Sequence, residues 1–275
     1  MTDPIHQAAT KGFHNAAAYD KHRPSYPNEA VQKLLVQLGL AAKQGARVID
    51  LAAGTGKLTE LLAAREEGFE ILAIEPHKEM REALEAKKLN GVVSLFGTAE
   101  EMGVEEGWAD AIVCGQSFHW FANEAAAKEI HRVLKPRGKL AMIWNIEHYN
   151  KPRIWTAATN WEQQLHELII DTKTDTQPRF REYVWKDIFD SPSVQNLFDT
   201  PIKEDHSVRW TLWLTPQRLG ERVKTLSHVA LLEGEEAERF WAKFDEIMKG
   251  KDTVWNERRE VEVHAVSPFA WTTKL

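Results

Sequence analysis

Two acidic side chains, separated by a loop of very small residues, are where this sequence offers readable chemistry. Asp50 lies near the end of the apolar run Ala46-Arg-Val-Ile-Asp-Leu51 and is followed by Ala52-Ala-Gly-Thr-Gly56. Small residues at Ala52, Ala53, Gly54 and Gly56 let the main chain turn sharply and let a ligand approach the backbone. A helix opening near Lys57 would present free amides that favour a carboxylate or a phosphate. Glu75 ends the next apolar run, about twenty residues past the loop, where an acidic side chain can accept both hydroxyls of a ribose. Taken alone, the loop also reads as nothing more than a tight strand-to-helix turn.

An acid at each of those places suits a nicotinamide dinucleotide or S-adenosylmethionine, and the loop separates the two. Ala52-Ala-Gly-Thr-Gly56 lacks the third glycine of G-x-G-x-x-G, because Lys57 and Thr59 follow it. A nicotinamide oxidoreductase is therefore a poor alternative. No Lys-Ser/Thr follows a six-residue glycine frame, which excludes the phosphate loop of an NTPase.

The elements that must hold these acids alternate. Ala46–Leu51, Phe69–Glu75, Val92–Phe96, Ala109–Gly115 and Lys139–Trp144 read as buried strands. Between them, Leu58, Leu61 and Leu62 recur at helical spacing, Met80 and Leu84 mark a second helix face, and Ala122–Leu134 reads as a third helix, broken at Lys135-Pro-Arg-Gly138. Such alternation predicts a doubly wound, mostly parallel α/β sheet with helices on both faces and a ligand crevice at the C-terminal strand ends. Beyond Glu147 the pattern changes. A helix is expected over 154–171, a polar turn-rich stretch over 172–178, a strand over 208–214, a helix from Thr215-Pro216 with Thr as its cap, and a strand over 260–266. With no repeat and no linker, one elaborated domain is expected. Residues 1–30 form an N-terminal lid, 31–147 the core, 148–205 a substrate-covering insertion and 206–275 the completion of the sheet.

Composition narrows the classes. The chain has 275 residues, 43% of them hydrophobic and 28% charged, as in an ordinary globular protein. Its net charge of −6 gives no support for broad electrostatic binding to nucleic acid. Cys114 is the one cysteine, which rules out an internal disulfide and any multi-cysteine zinc site, and no metal is expected. No stretch approaches a membrane span and the first residues carry no apolar signal, so a cytoplasmic location is expected. Eleven tryptophans are several times ordinary usage, most of them at or beyond Trp144. They either fill a thin C-terminal core or line a pocket for a flat or apolar ligand.

Asp50, Ala52, Gly54 and Gly56 together resemble the first motif of class I S-adenosylmethionine-dependent methyltransferases, an acid followed by G-x-G-x-G, with Ala52 a departure from the commonest form. Gly97-Thr-Ala-Glu-Glu-Met102 resembles the segment that contacts adenine, Asp110–Gln116 the fourth-strand motif, and Arg132-Val-Leu-Lys-Pro-Arg-Gly138 the turn before the fifth strand. The resemblance runs over about residues 13–146. Tyr19-Asp-Lys-His-Arg-Pro-Ser-Tyr-Pro27 and Gln116-Ser-Phe-His-Trp-Phe121 are similar to the small-molecule branch that includes trans-aconitate methyltransferase. This resemblance implies a seven-stranded Rossmann-like sheet and S-adenosyl-L-methionine as cofactor. It implies cofactor contacts at Asp50, Ala52, Gly54, Gly56, Glu75, Pro76, Met80, Thr98, Ala99, Glu100 and Gln116, and a lid bearing Tyr19 and Arg23. Arg23 would pair with the methionine carboxylate or form a surface ion pair.

His119 and Trp120 follow the fourth strand, where a transferred methyl group should face its acceptor. His119 is the candidate catalytic residue, as a general base or by orienting an acceptor oxygen, with a purely structural histidine as the alternative. The acceptor pocket is expected to be walled by His119, Trp120 and Trp144 and covered by residues 150–205, whose aromatic content suits an apolar or planar small molecule. Methyl transfer to a small molecule, through oxygen, is the leading expectation. A protein or RNA methyltransferase and a non-catalytic cofactor-binding protein are the alternatives.

Overall fold

The computed structural model describes residues 20–172, 174 and 178–275. Tyr19 and most of the expected N-terminal lid lie outside them. Helix α1 (Asn28–Leu38) leads into β1 (Arg47–Leu51), α2 (Lys57–Ala63), β2 (Glu70–Ile74), α3 (Lys78–Glu85), β3 (Val92–Leu95), β4 (Ala109–Gly115), α4 (Glu124–Val133) and β5 (Leu134–Ile143). These five strands are mutually parallel, with Asp50 of β1 paired to Ala73 of β2 on one side and to Val113 of β4 on the other. Every residue of β1 from Val48 to Leu51 is buried, as a strand covered on both faces must be. Its side chains divide by parity: Val48 packs with α1 and α2, while Ile49 and Leu51 pack with α4.

Two short strands complete the sheet to seven, in the order β3-β2-β1-β4-β5-β10-β7. Strand β10 (Phe269–Thr273) runs antiparallel to β5 and to β7 (Lys203–Asp205). The sheet is thus an α/β, mostly parallel seven-stranded one, as the resemblance implied. Neither added strand stands out in the sequence. Strand β7 is the charged edge segment Lys-Glu-Asp, and charge on an edge protects it from further pairing.

The C-terminal quarter departs from its expected role. Of residues 206–275 only β10 joins the main sheet. Strands β8 (Arg209–Leu214) and β9 (Val261–Val266) pair with each other and with β6 (Ile146–Glu147) in a separate three-stranded sheet. Their inward residues Leu214, Val261 and Val263 form a third core with α5 (Asn160–Ile170), α7 (Pro216–Lys224) and α8 (Gly234–Met248). Thr215 caps its helix as the sequence implied, accepting from the Arg218 amide, and Thr159, which the sequence reading did not single out, accepts from the Glu162 amide. The helix expected from 154 begins only at Asn160, after that cap.

Four of the eleven tryptophans, Trp108, Trp144, Trp161 and Trp185, are buried, Trp213 is exposed, and the others are half-buried. Trp144 and Trp185 are 1% exposed, with ring centroids 4.6 Å apart, and Trp185 meets Phe118 edge-on at 6.3 Å. Phe180, Phe189 and Phe198 join the same cluster, which also contains α6 (Pro192–Gln195) through Val194. The insertion is thereby welded to the end of β4 and β5. Replacing Trp185 by Ala is expected to lower unfolding free energy by about 3–5 kcal/mol in denaturant titration. A loss below about 1 kcal/mol would instead put this ring on a wetted wall.

Candidate functional site

The chain turns at the end of β1 in a strained path. Ala52 lies in the left-handed region at φ 55° and Gly54 at φ 57°, and the Ala53, Gly54 and Gly56 amides are bonded within the protein, to the Ile74 carbonyl, Glu75 Oε2 and the Ala53 carbonyl. Glu75, 4% exposed at the end of β2, closes the loop from below. Its Oε2 accepts the Gly54 amide at 2.8 Å and its Oε1 accepts the His77 amide at 2.9 Å. Arg81 donates to the Glu75 and Pro76 carbonyls and holds that turn from α3. One backbone bond on each oxygen leaves acceptor capacity on both.

Asp50 is the more deeply buried acid. Thr59 of α2 donates to its Oδ2 at 2.6 Å, while Oδ1 has no hydrogen-bond partner. Burial, against the Thr59 bond and with the nearby Glu75 charge, pushes its pKa up to about 7. Burial also raises the Glu75 carboxyl above its usual range, against the two backbone bonds. Cys114, beside them in the core, is an inert thiol driven upward by burial.

Asp50 and Glu75 line one cleft of about 380 Å³ at the C-terminal strand ends. The β1 loop brings Asp50, Ala52 and Gly54 to it, the end of β2 brings Glu75 and Pro76, and α3 brings Met80. Thr98, Ala99 and Glu100 form the opposite wall, and Gln116 closes the end beyond β4. Arg23 reaches the mouth from the N-terminal segment. Gly56 does not line it. At φ 84°, a Cβ there would stand 2.2 Å from Leu84 Cδ1, so this glycine lets α2 pass close against α3.

A smaller chamber of about 70 Å³ adjoins the cleft and shares Arg23, Gln116 and Trp120 with it. His119 lines it. Trp144 does not, contrary to expectation: it lies behind His119, and its indole Nε1 donates to His119 Nδ1 at 3.3 Å. The roof comes from Arg179, Phe180 and Arg181 of the insertion and from residues 225–228 after α7. Arg179 donates to Ser227 Oγ at 3.0 Å and Arg181 to Asn150 Oδ1 at 2.6 Å. Burial first, then the Arg179 and Arg181 charges, depress the His119 pKa to about 3. This neutral ring is a poor general base near neutral pH. Gln116, held at φ 59°, donates from Nε2 to the Asn145 carbonyl at 2.9 Å. Sequence reasoning missed the roof, since no motif marks Arg179, Arg181 or the 225–228 segment.

The described part of the N-terminal segment straps both spaces. Asp20 Oδ1 accepts from Thr55 Oγ1 at 2.7 Å and from Lys87 at 3.1 Å, and its carbonyl accepts from Lys57 at 2.6 Å. Three residues on, Arg23 donates to the Thr225 carbonyl at 2.9 Å, and Arg222 donates to the His22 carbonyl at 2.9 Å.

Comparison with known proteins accounts for this arrangement. Residues 49–142 match the family model described as a methyltransferase domain. An uncharacterized methyltransferase of Mycobacterium tuberculosis is 36% identical over 77% of this chain and 74% of its own length. The chain belongs to the class I S-adenosylmethionine-dependent methyltransferases. An uncharacterized methyltransferase of Schizosaccharomyces pombe is 32% identical to it over 85% of each chain. The phosphoethanolamine N-methyltransferase 2 of Haemonchus contortus, solved with S-adenosyl-L-methionine, shares the fold of this methyltransferase at a TM-score of 0.53. The two are 16% identical over 96% of this chain and 57% of that one. The cofactor is S-adenosylmethionine. The residues present fit it: the cleft holds a buried acid with acceptor capacity at the end of β2, an unpartnered Asp50 oxygen and a tight loop of small residues that a ligand can approach closely. Among the described residues no helix is long and apolar enough to cross a membrane, and no group of three or more metal-ligating side chains comes together.

The buried Asp50 makes a stability prediction for the methyltransferase. Its folded pKa lies above the ordinary 3.8, so the folded state holds this proton more tightly than the unfolded one. Its contribution is therefore fully present below about pH 4 and lost as pH rises to about 7. Asp50→Asn is expected to remove that fall, on the order of a few kcal/mol, when unfolding is compared at the two ends of the window. Equal pH dependence in mutant and wild type would show that Asp50 titrates normally.

Proposed function

We propose that this methyltransferase transfers a methyl group to a carboxylate oxygen of a small molecule held in the arginine-roofed chamber. One observation carries the reading. Arg23, Arg179 and Arg181 converge on a space of about 70 Å³ that opens onto the cofactor cleft, and none of the described residues lining it is acidic. A planar anion is what guanidinium groups recognise best. The sequence pointed instead to an apolar or planar acceptor, on the strength of the aromatic insertion. Those rings are mostly core, so they give the pocket its rigidity and leave its polarity to the arginines.

In this reading Glu75 takes the ribose hydroxyls on the lone pairs that Gly54 and His77 leave open. Asp50 Oδ1 faces the methionine ammonium. Met80, Pro76, Thr98, Ala99 and Glu100 enclose the adenine, and the strap carrying Arg23 covers the cofactor. Bound there, S-adenosylmethionine would supply an electrophilic sulfonium methyl for the acceptor oxygen, with the thioether sulfur as leaving group. A carboxylate is already ionised near neutral pH, so no residue has to remove a proton. Arg179 and Arg181 hold the acceptor, Gln116 and Trp120 stand at the passage between cleft and chamber, and the roof excludes water. Alignment and desolvation supply the acceleration.

A roofed chamber of this size supports a small acceptor over an extended polypeptide or RNA, which would need an open groove. The test is a transfer assay with methyl-labelled cofactor against a panel of small carboxylic acids, phenols and amines. Base-labile methyl esters are expected from the acids. Transfer to amines or phenols with none to any acid would defeat the carboxylate reading. Arg179→Gln and Arg181→Gln should each raise KM for the acid roughly tenfold or more, the cost of a charged hydrogen bond, while leaving S-adenosylhomocysteine affinity unchanged.

A further inference from the structure

Behind the chamber, the contact between Trp144 and His119 has a direction that heavy-atom geometry alone determines. An indole nitrogen can only donate, so His119 Nδ1, 3.3 Å from Trp144 Nε1, must be the acceptor. In a neutral imidazole the proton then sits on Nε2, on the other side of the ring. Trp144 is 1% exposed and clamped by Trp185 and Phe180, at centroid distances of 4.6 and 4.7 Å, so the donor cannot easily turn away. His119 stands between that buried donor and the chamber it lines, and Trp120 leans on it at 5.2 Å.

We propose that Trp144 is a positioning residue: its indole N–H fixes His119 as the Nε2-protonated tautomer and turns that N–H into the chamber as a hydrogen-bond donor to the acceptor. This rests on the chamber's being the acceptor site and assigns His119 the opposite of a base's role. The groups facing His119 in the chamber are Arg23, Arg179, Arg181 and His228, and the arginine charges disfavour a second proton on the ring. The depressed pKa of His119, with burial as its first cause and the Arg179 and Arg181 charges next, agrees with a ring that stays neutral. A neutral donor among cations suits an anionic acceptor: it adds a directed contact without the cost of confining another charge.

The experiment uses the full chain with S-adenosylhomocysteine bound and its histidines labelled with nitrogen-15, the His119 signals being identified by their loss in His119→Gln. The wild type should show Nε2 protonated and Nδ1 bare, unchanged between about pH 5 and 8, the range in which an ordinary histidine titrates. Trp144→Phe, which keeps a ring in the core but removes the N–H, should show mixed tautomers or a titrating ring. A wild-type ring protonated on Nδ1 overturns the proposal without any variant, and so does a Trp144→Phe spectrum identical to the wild type. Succinate, used as the acceptor probe, should move the Nε2 resonance and not Nδ1. His119→Gln, whose amide donates from a similar place, should keep succinate affinity within about threefold, while His119→Phe loses roughly tenfold. Equal losses in the two variants count against the donor role. If succinate moves no chamber resonance and binds to neither form, the carboxylate reading fails, while the tautomer spectra still decide the part assigned to Trp144.

Discussion

Glu75 is tied to the backbone on both of its oxygens, and the site is built outward from that constraint. A carboxylate this deep is costly unless its lone pairs are met, and the Gly54 and His77 amides meet one on each side. The same two bonds staple the turn after β2 to the loop after β1, so the acid that costs stability also determines the shape of the cleft. Asp50, one strand over, is supported by the Thr59 hydroxyl on one oxygen only. Burial raises both carboxyl pKa values, and for Asp50 the nearby Glu75 charge adds to the rise. A bound cation would relieve it.

The second half of the chain roofs the smaller chamber beside this cleft. The insertion lays Phe180, Trp185 and Phe189 over Phe118 and Trp144, and the ring packing fixes where Arg179 and Arg181 stand. Rings this well packed give the roof a rigidity that a polar loop would lack. The aromatic residues shape the chamber from behind, and the charged residues give it its chemistry.

The two spaces are also mechanically joined. Between Asp20 and Arg23 the chain is fastened to the cofactor loop at one end and to the end of α7 at the other. Arg23 lines both cleft and chamber and donates to the Thr225 carbonyl, so a movement of this segment would disturb both. Segments of this kind set many turnover rates by controlling entry and release.

The sequence by itself determined the part of the molecule whose geometry is local. Strand β1, the small-residue loop and the acid at the end of β2 occupy adjoining pieces of chain, and their order and spacing dictate a parallel α/β sheet with a ligand crevice above it. Gly56 shows the limit even there: its smallness was legible, but that it serves the packing of α2 against Leu84 was not. Tertiary structure alone decided the rest. Strands β7 and β10 are short and carry no alternation of their own; β10 pairs because β5 offers an open edge, and β7 pairs in turn with β10. Trp144 looked like a pocket wall because it ends a strand facing the crevice, yet Trp185 and Phe180, some forty residues away in the chain, bury it. Arg179 and Arg181 have no motif at all. They meet Arg23 and His119 only because the aromatic core carries the insertion over the sheet, and contacts between segments so distant in sequence leave no periodicity for a reader of the sequence to find.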